Sequence, residues 1–149
     1  MLRFEFLFDL TAKVGELVSM GEAPLGERRL VEIAGGSFEG PGLSGTVLSG
    51  NDWQIARHDG VLELDARYVI KDERGGLVRV VSQGYRHGSP DVMARLARGA
   101  RVEPEEYFFR TTMRFETGAE ELAWLNKTIA VATAERRAGE VRLKTWRLL

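Results

Sequence analysis

The chain has no cysteine, only two histidines and four prolines among 149 residues. Without thiols there is no disulfide framework, no cysteine nucleophile and no thiolate metal site. His58 and His87 stand alone in the sequence, too few for the ligand set that zinc asks for, so no metal is expected. Excess charge is lacking as well: 21 basic and 22 acidic residues leave a net charge of −1, which gives no general attraction for nucleic acid or a membrane surface. No apolar run approaches a membrane span, and Glu5 and Asp9 interrupt the only N-terminal stretch that resembles a leader. A cytoplasmic chain is the expectation. Phosphate-cradling loops, nucleophile elbows and basic runs with interleaved aromatics are also missing, so no cofactor is implied.

Glycine is what the chain has in quantity, and seven of its seventeen lie between Gly35 and Gly60. Such spacing suits a sheet that bulges, bends or closes on itself, and the Gly40-Pro41-Gly42 step bars any helix there. On either side the pattern is that of strands. Phe4, Phe6, Phe8 and Leu10 alternate with polar residues, as do Leu62, Leu64, Ala66, Tyr68 and Ile70 with Glu63, Asp65 and Arg67. Short strands are expected over 28–33, 44–48 and 52–57, with Asp59-Gly60 as a two-residue hairpin loop. Residues 15–26 read as a connection, with Glu16 to Met20 as an extension of the first strand. Leu77 to Tyr85, Tyr107 to Glu116, Thr128 to Glu135 and Val141 to Leu148 complete about nine strands. Ser89-Pro90-Asp91 is a helix start, with a capping hydroxyl, proline at the first helical position and an acid in the first turn. A further turn or two of helix is expected at 119–126. At this length a single domain over 1–149 can fold on its own core. The order of strands and short turns predicts an all-β fold with one or two short helices, an antiparallel β-barrel, with a sandwich as the alternative.

The text GERRLVEIAGGSFEGPGLSGTVLSGNDWQIARHDGVLELDARYVI at 26–70, YFFRTTMRFETG at 107–118 and AWLNKTIAVATAERR at 123–137 carries a resemblance. It is similar to the DUF3237 (UPF0311) family over nearly its whole length. The resemblance implies a small barrel of the calycin or allene-oxide-cyclase kind and contributes fold far more than function. The chain departs from the family pattern at Ser49, Asn51, Ala132 and Ala134, which bears on a ligand site near Asp52.

The residues with chemistry to offer are those that are costly to bury. Asp52 and Trp53 follow a glycine turn and face opposite ways. An inward Asp52 would pair with Arg29, Arg57 or Arg110 and act as base or substrate anchor; otherwise it caps its own turn. Arg110, Arg114 and Glu116 share one strand face, which is either a lumen that binds an oxyanion or the solvated outside. Tyr68 lies on an apolar face and needs a hydrogen-bond partner. Trp124 and Asn126 form a pocket wall and a ligand donor, or a plug and a cap. The expected site places Asp52, Glu116 and Arg110 in catalysis and Arg29, Trp53, Arg57, Tyr68, Trp124 and Asn126 around a small-molecule ligand. The expected function is small-molecule binding, with cofactor-independent acid/base catalysis on an oxygenated organic molecule such as isomerisation, cyclisation or lyase cleavage. The alternative is a non-catalytic carrier or sensor of an apolar ligand, and a homodimer is compatible with either.

Overall fold

A computed structural model describes all residues 1–149. Eight strands run in chain order: β1 (Phe4–Ala23), β2 (Gly26–Glu39), β3 (Ser44–Ala56), β4 (Leu62–Asp72), β5 (Leu77–His87), β6 (Phe108–Thr117), β7 (Ile129–Arg137) and β8 (Glu140–Leu148). Each pairs antiparallel with the next, and β1 pairs with β8, so the meander closes into a barrel. Closure leaves no free edge around the ring, which is the physical advantage that the many short turns pointed to. The expected count of nine falls to eight because 44–48 and 52–57 are one strand, bent at a register shift between Val47 and Gly50.

Two turns differ from expectation in an instructive way. The β3–β4 loop has five residues, Arg57 to Val61, and only Gly60 takes positive φ, at 88°. The backbone bonds Arg57 N–H to Val61 O (2.9 Å) and Gly60 N–H to Arg57 O (3.2 Å) close it. Asp59 instead accepts from the Val61 N–H, so it shapes the loop through its side chain. Residues 15–26 are no mere connection, since β1 continues to Ala23 and forms a hairpin with β2. Only its first part, Phe4 to Lys13, pairs with β8, so the rest stands beyond the ring as a flap at one rim. At Gly36 a side chain is sterically excluded, because a Cβ there would lie 1.9 Å from the Thr11 carbonyl oxygen.

The inward phase of the strands faces the lumen, which is packed most fully at one end. At one end Phe8 packs edge-on against Phe38 and Phe115, with ring centroids 5.5 and 6.3 Å apart. A 3₁₀ helix, Glu120–Lys127, closes that end with Leu122 and Leu125, both fully buried. The other end is covered by α1 (Pro90–Ala97), whose Ser89 hydroxyl caps the Val92 N–H at 3.2 Å and whose buried Val92 and Leu96 face inward. No helix is long and apolar enough to cross a membrane.

Candidate functional site

Towards the α1 end the inward positions change character. In β2 the phase Ile33, Val31 continues to Arg29 and Glu27; in β3 it runs through Asp52 and Gln54; in β5 Val78, Val80, Ser82 and Gly84 lead to Arg86; in β7 Ala130, Ala132 and Ala134 lead to Arg136. Pleat geometry alone therefore gathers these groups, because alternate residues share a face. They line a cavity of about 440 Å³ together with Val31, Leu62, Leu64 and Phe109, under Met93 and Leu96 of α1 and beside Leu17 of the β1 flap. Eight-stranded barrels have room for side chains or one small ligand, and here the ring leaves room for the latter.

Asp52 sits mid-strand, so it caps no turn. Its Oδ1 accepts the Asp65 N–H from the neighbouring strand at 3.1 Å and its Oδ2 accepts from Gln54 Nε2 at 2.8 Å. Burial pushes the carboxyl up from its ordinary 3.8 to about 6, since the two hydrogen bonds and the Arg86 charge offset only part of the lost hydration. Arg86 has no carboxylate in contact, and its Nε is buried without a partner. Its guanidinium lies 5.4 Å from the centre of the Phe109 ring. Burial first, and the nearby Arg136 second, hold it down at about 10. Deeper on the same inward face Tyr68 is 5% exposed and its hydroxyl is unpartnered; burial and the Asp52 charge push that group above its usual range. Thr111 Oγ1 is a third buried polar atom without a partner. Buried orphans are rare in folded chains, and of the three Arg86 is the one that lines this cavity.

Of the expected site residues, Asp52 and Arg29 line this cavity, and Arg57 reaches its rim. Arg29 is held by Glu27 at 2.9 Å, and Arg57 is committed to Asp59 and to Glu63, the latter at 3.1 Å. Tyr68 lies below. The remaining residues lie elsewhere. Glu116 and Arg110 are exposed on the outer face of β6, because Phe109, Thr111, Met113 and Phe115 take the inward phase. Trp53, 41% exposed, points outward as the neighbour of an inward Asp52 must. Trp124 stacks under Arg147 with 5.2 Å from guanidinium to ring centre, and Asn126 clamps Thr117 by accepting its N–H (2.8 Å) and donating to its carbonyl (3.0 Å). Both belong to the plug at the opposite end. Sequence reasoning overlooked Gln54, Arg86 and Arg136, although each continues an apolar inward phase by one more pleat. His58 is exposed beside Glu22, and His87 stacks on Phe108.

A larger groove of about 830 Å³ crosses the outside of the wall at Trp53, Tyr85, Phe108 and Trp146. Thr111 borders this groove, but the buried Asp52 and the unpartnered Arg86 lie in the lumen, which is the better candidate for chemistry.

The family model described as "Protein of unknown function (DUF3237)" matches residues 2–148. A UPF0311 protein of Rhodopseudomonas palustris is 38% identical over 149 residues, covering 99% of this chain and 97% of that one. A crystal structure from the same organism superposes with a TM-score of 0.93 at 36% identity, covering 100% of this chain and 98% of that one. A beta-barrel like protein from Acinetobacter baumannii gives 0.88 at 36% identity, with 100% and 97% covered. A chain from Penicillium herquei described as an enzyme shares the fold, with a TM-score of 0.77 at 22% identity and coverage of 99% and 95%.

Proposed function

The chain belongs to the DUF3237 family, and from that premise we propose that its lumen binds a small oxygenated molecule and moves a proton on it, without a cofactor. The observation that carries this reading is that Asp52, whose carboxyl titrates at about 6, lines the same cavity as Arg86, which no carboxylate contacts. A base is most useful when its pKa lies near the working pH, and at neutral pH Asp52 is ionised yet basic enough to take a proton. Asp52 removes a proton from carbon next to a carbonyl group. The bonding pair moves to the carbonyl oxygen to give an enolate, and the Arg86 guanidinium stabilises the negative oxygen in a water-poor setting. With a β,γ-unsaturated substrate the enolate is a dienolate, and returning the same proton to its γ carbon completes an isomerisation to the conjugated carbonyl compound that needs no further reactant.

A carrier would gain nothing from such an acid, since an unused buried carboxylate only costs stability. A homodimer remains part of this reading. The exposed aromatics of the outer groove are the surface that a second copy would cover.

The test is hydrogen–deuterium exchange in D2O, followed by proton NMR, on slowly exchanging ketones and oxo acids such as cyclohexanone, levulinate and 2-oxobutyrate. The protein is expected to accelerate exchange on at least one of them, with a rate that rises through about pH 6. Asp52→Asn is expected to lower that rate by about 100-fold or more, and Glu116→Gln to leave it unchanged. Full exchange by Asp52→Asn, or no acceleration of any compound, overturns the reading.

A further inference from the structure

Four arginines line the lumen cavity, and they fall into two kinds. Arg29 is neutralised by Glu27, and Arg57 by Asp59 and Glu63. Arg86 and Arg136 touch no carboxylate. Arg136 donates through Nη1 to the carbonyl oxygens of Arg137 and Glu140, the second at 3.1 Å, and its backbone N–H donates to the Tyr107 hydroxyl at 2.9 Å. These contacts fix its position and leave its charge uncompensated. Arg86 and Arg136 come from β5 and β7, the strands on either side of β6; both line the cavity, and Arg86 lies against Phe109. Asp52 makes no direct contact with either: its oxygens accept from Gln54 and the Asp65 N–H, and its charge supports Arg86 only through space. Two part-buried guanidinium groups of like charge raise each other's cost, and no anion is bonded to either.

We propose that the lumen ligand carries a carboxylate, received between Arg86 and Arg136, with the rest of the molecule lying along Phe109 and Leu62 beneath α1. The fork geometry of guanidinium suits a planar two-oxygen anion. The Arg86 side chain makes no hydrogen bond or ion pair within the chain, so its guanidinium supplies donors that no protein group uses. The inference rests on the lumen as the ligand site, though not on Asp52 acting as a base. It names the substrate class: small organic acids, not neutral ketones or alcohols.

The experiment is isothermal titration calorimetry at pH 7.5 and low salt with levulinate and benzoate, each against its own neutral amide. The acids are expected to bind at least 10-fold more tightly than the amides, and more weakly as salt is raised. Arg86→Met and Arg136→Met are each expected to weaken the acids 10-fold or more and leave the amides unchanged. Arg86→Lys, which keeps the charge on a similar stem, folds even if the methionine variant does not, and is expected to fall between the two. Asp52→Asn is expected to bind the acids at least as well as the parent chain, since a negative charge has gone, even where it abolishes proton exchange. Binding without exchange therefore sinks the chemistry and keeps the carboxylate site. Equal affinity for acid and amide, no binding by either acid, or undiminished acid binding in both arginine variants overturns the proposal.

Discussion

The two ends of the barrel are built from the same strands and the same inward phase, yet they do opposite things. At the plugged end Phe8, Phe38 and Phe115 meet edge to face under Leu122 and Leu125, and the buried Thr145 beside Phe8 turns its hydroxyl to the Met113 sulfur. At the α1 end the same alternation delivers Asp52, Gln54, Arg29, Arg86 and Arg136 around a cavity. One end gains apolar burial and loses room. The other gives up burial, tolerates a carboxyl with a raised pKa and an unpaired guanidinium, and keeps space for a guest. The lesson is that a barrel divides stability and function along its axis, so that substitutions at one end leave the other intact.

The comparison is tested most strongly at the plug. Leu125 is fully buried, and Leu125→Ala is expected to cost about 3 kcal/mol. For a chain of this size that lowers the melting temperature by roughly 10 °C. Titration calorimetry on the folded variant is expected to give unchanged lumen binding; a variant that folds but no longer binds would show that the ends are coupled.

The opposite end gives the next largest effect, with the opposite sign. Asp52 has a folded pKa raised from 3.8 to about 6. The folded state thus holds this proton more firmly than the unfolded state does. Stability associated with the group is present in full below about pH 4 and is lost as pH rises through about 6. Asp52→Asn removes that penalty while its side-chain oxygen still accepts the Asp65 N–H. It is expected to be more stable than the parent by on the order of 2 kcal/mol at pH 8, with the advantage gone near pH 4. Melting curves across this range check it, and a gain that does not vary with pH contradicts it.

A smaller change separates the plug's packing from its tethering. Asn126 holds Thr117 by two hydrogen bonds in an exposed setting. Asn126→Ala is expected to cost about 1 kcal/mol, measured by urea unfolding. A cost comparable with that of Leu125→Ala would mean that the clamp, and not the apolar plug, closes this end.

Much of the architecture was legible beforehand. Alternation in β1, β4 and β6 identified the strands, and the Ser89-Pro90-Asp91 start located α1, because these signals depend only on neighbours within a few residues. The family text reinforced the barrel. Part of the site is legible too: Asp52 stands out because a carboxylate is costly to bury, and Arg29 as a partner for it. Glu116 and Arg110 share a strand face that could line a lumen, but their strand turns its phenylalanines inward and leaves them in solvent. Arg86 and Arg136 passed unnoticed, since an arginine at a strand end usually marks the rim.

Sequence alone determined the periodicity, the start of α1 and the absence of thiol chemistry, all of which are local properties of residue type and spacing. Tertiary structure decided how many strands close the ring, how far β1 runs past its partner, and which ionisable groups share one lumen. Those outcomes depend on register between strands far apart in the chain, and on the dielectric that surrounds a side chain once the wall has closed around it.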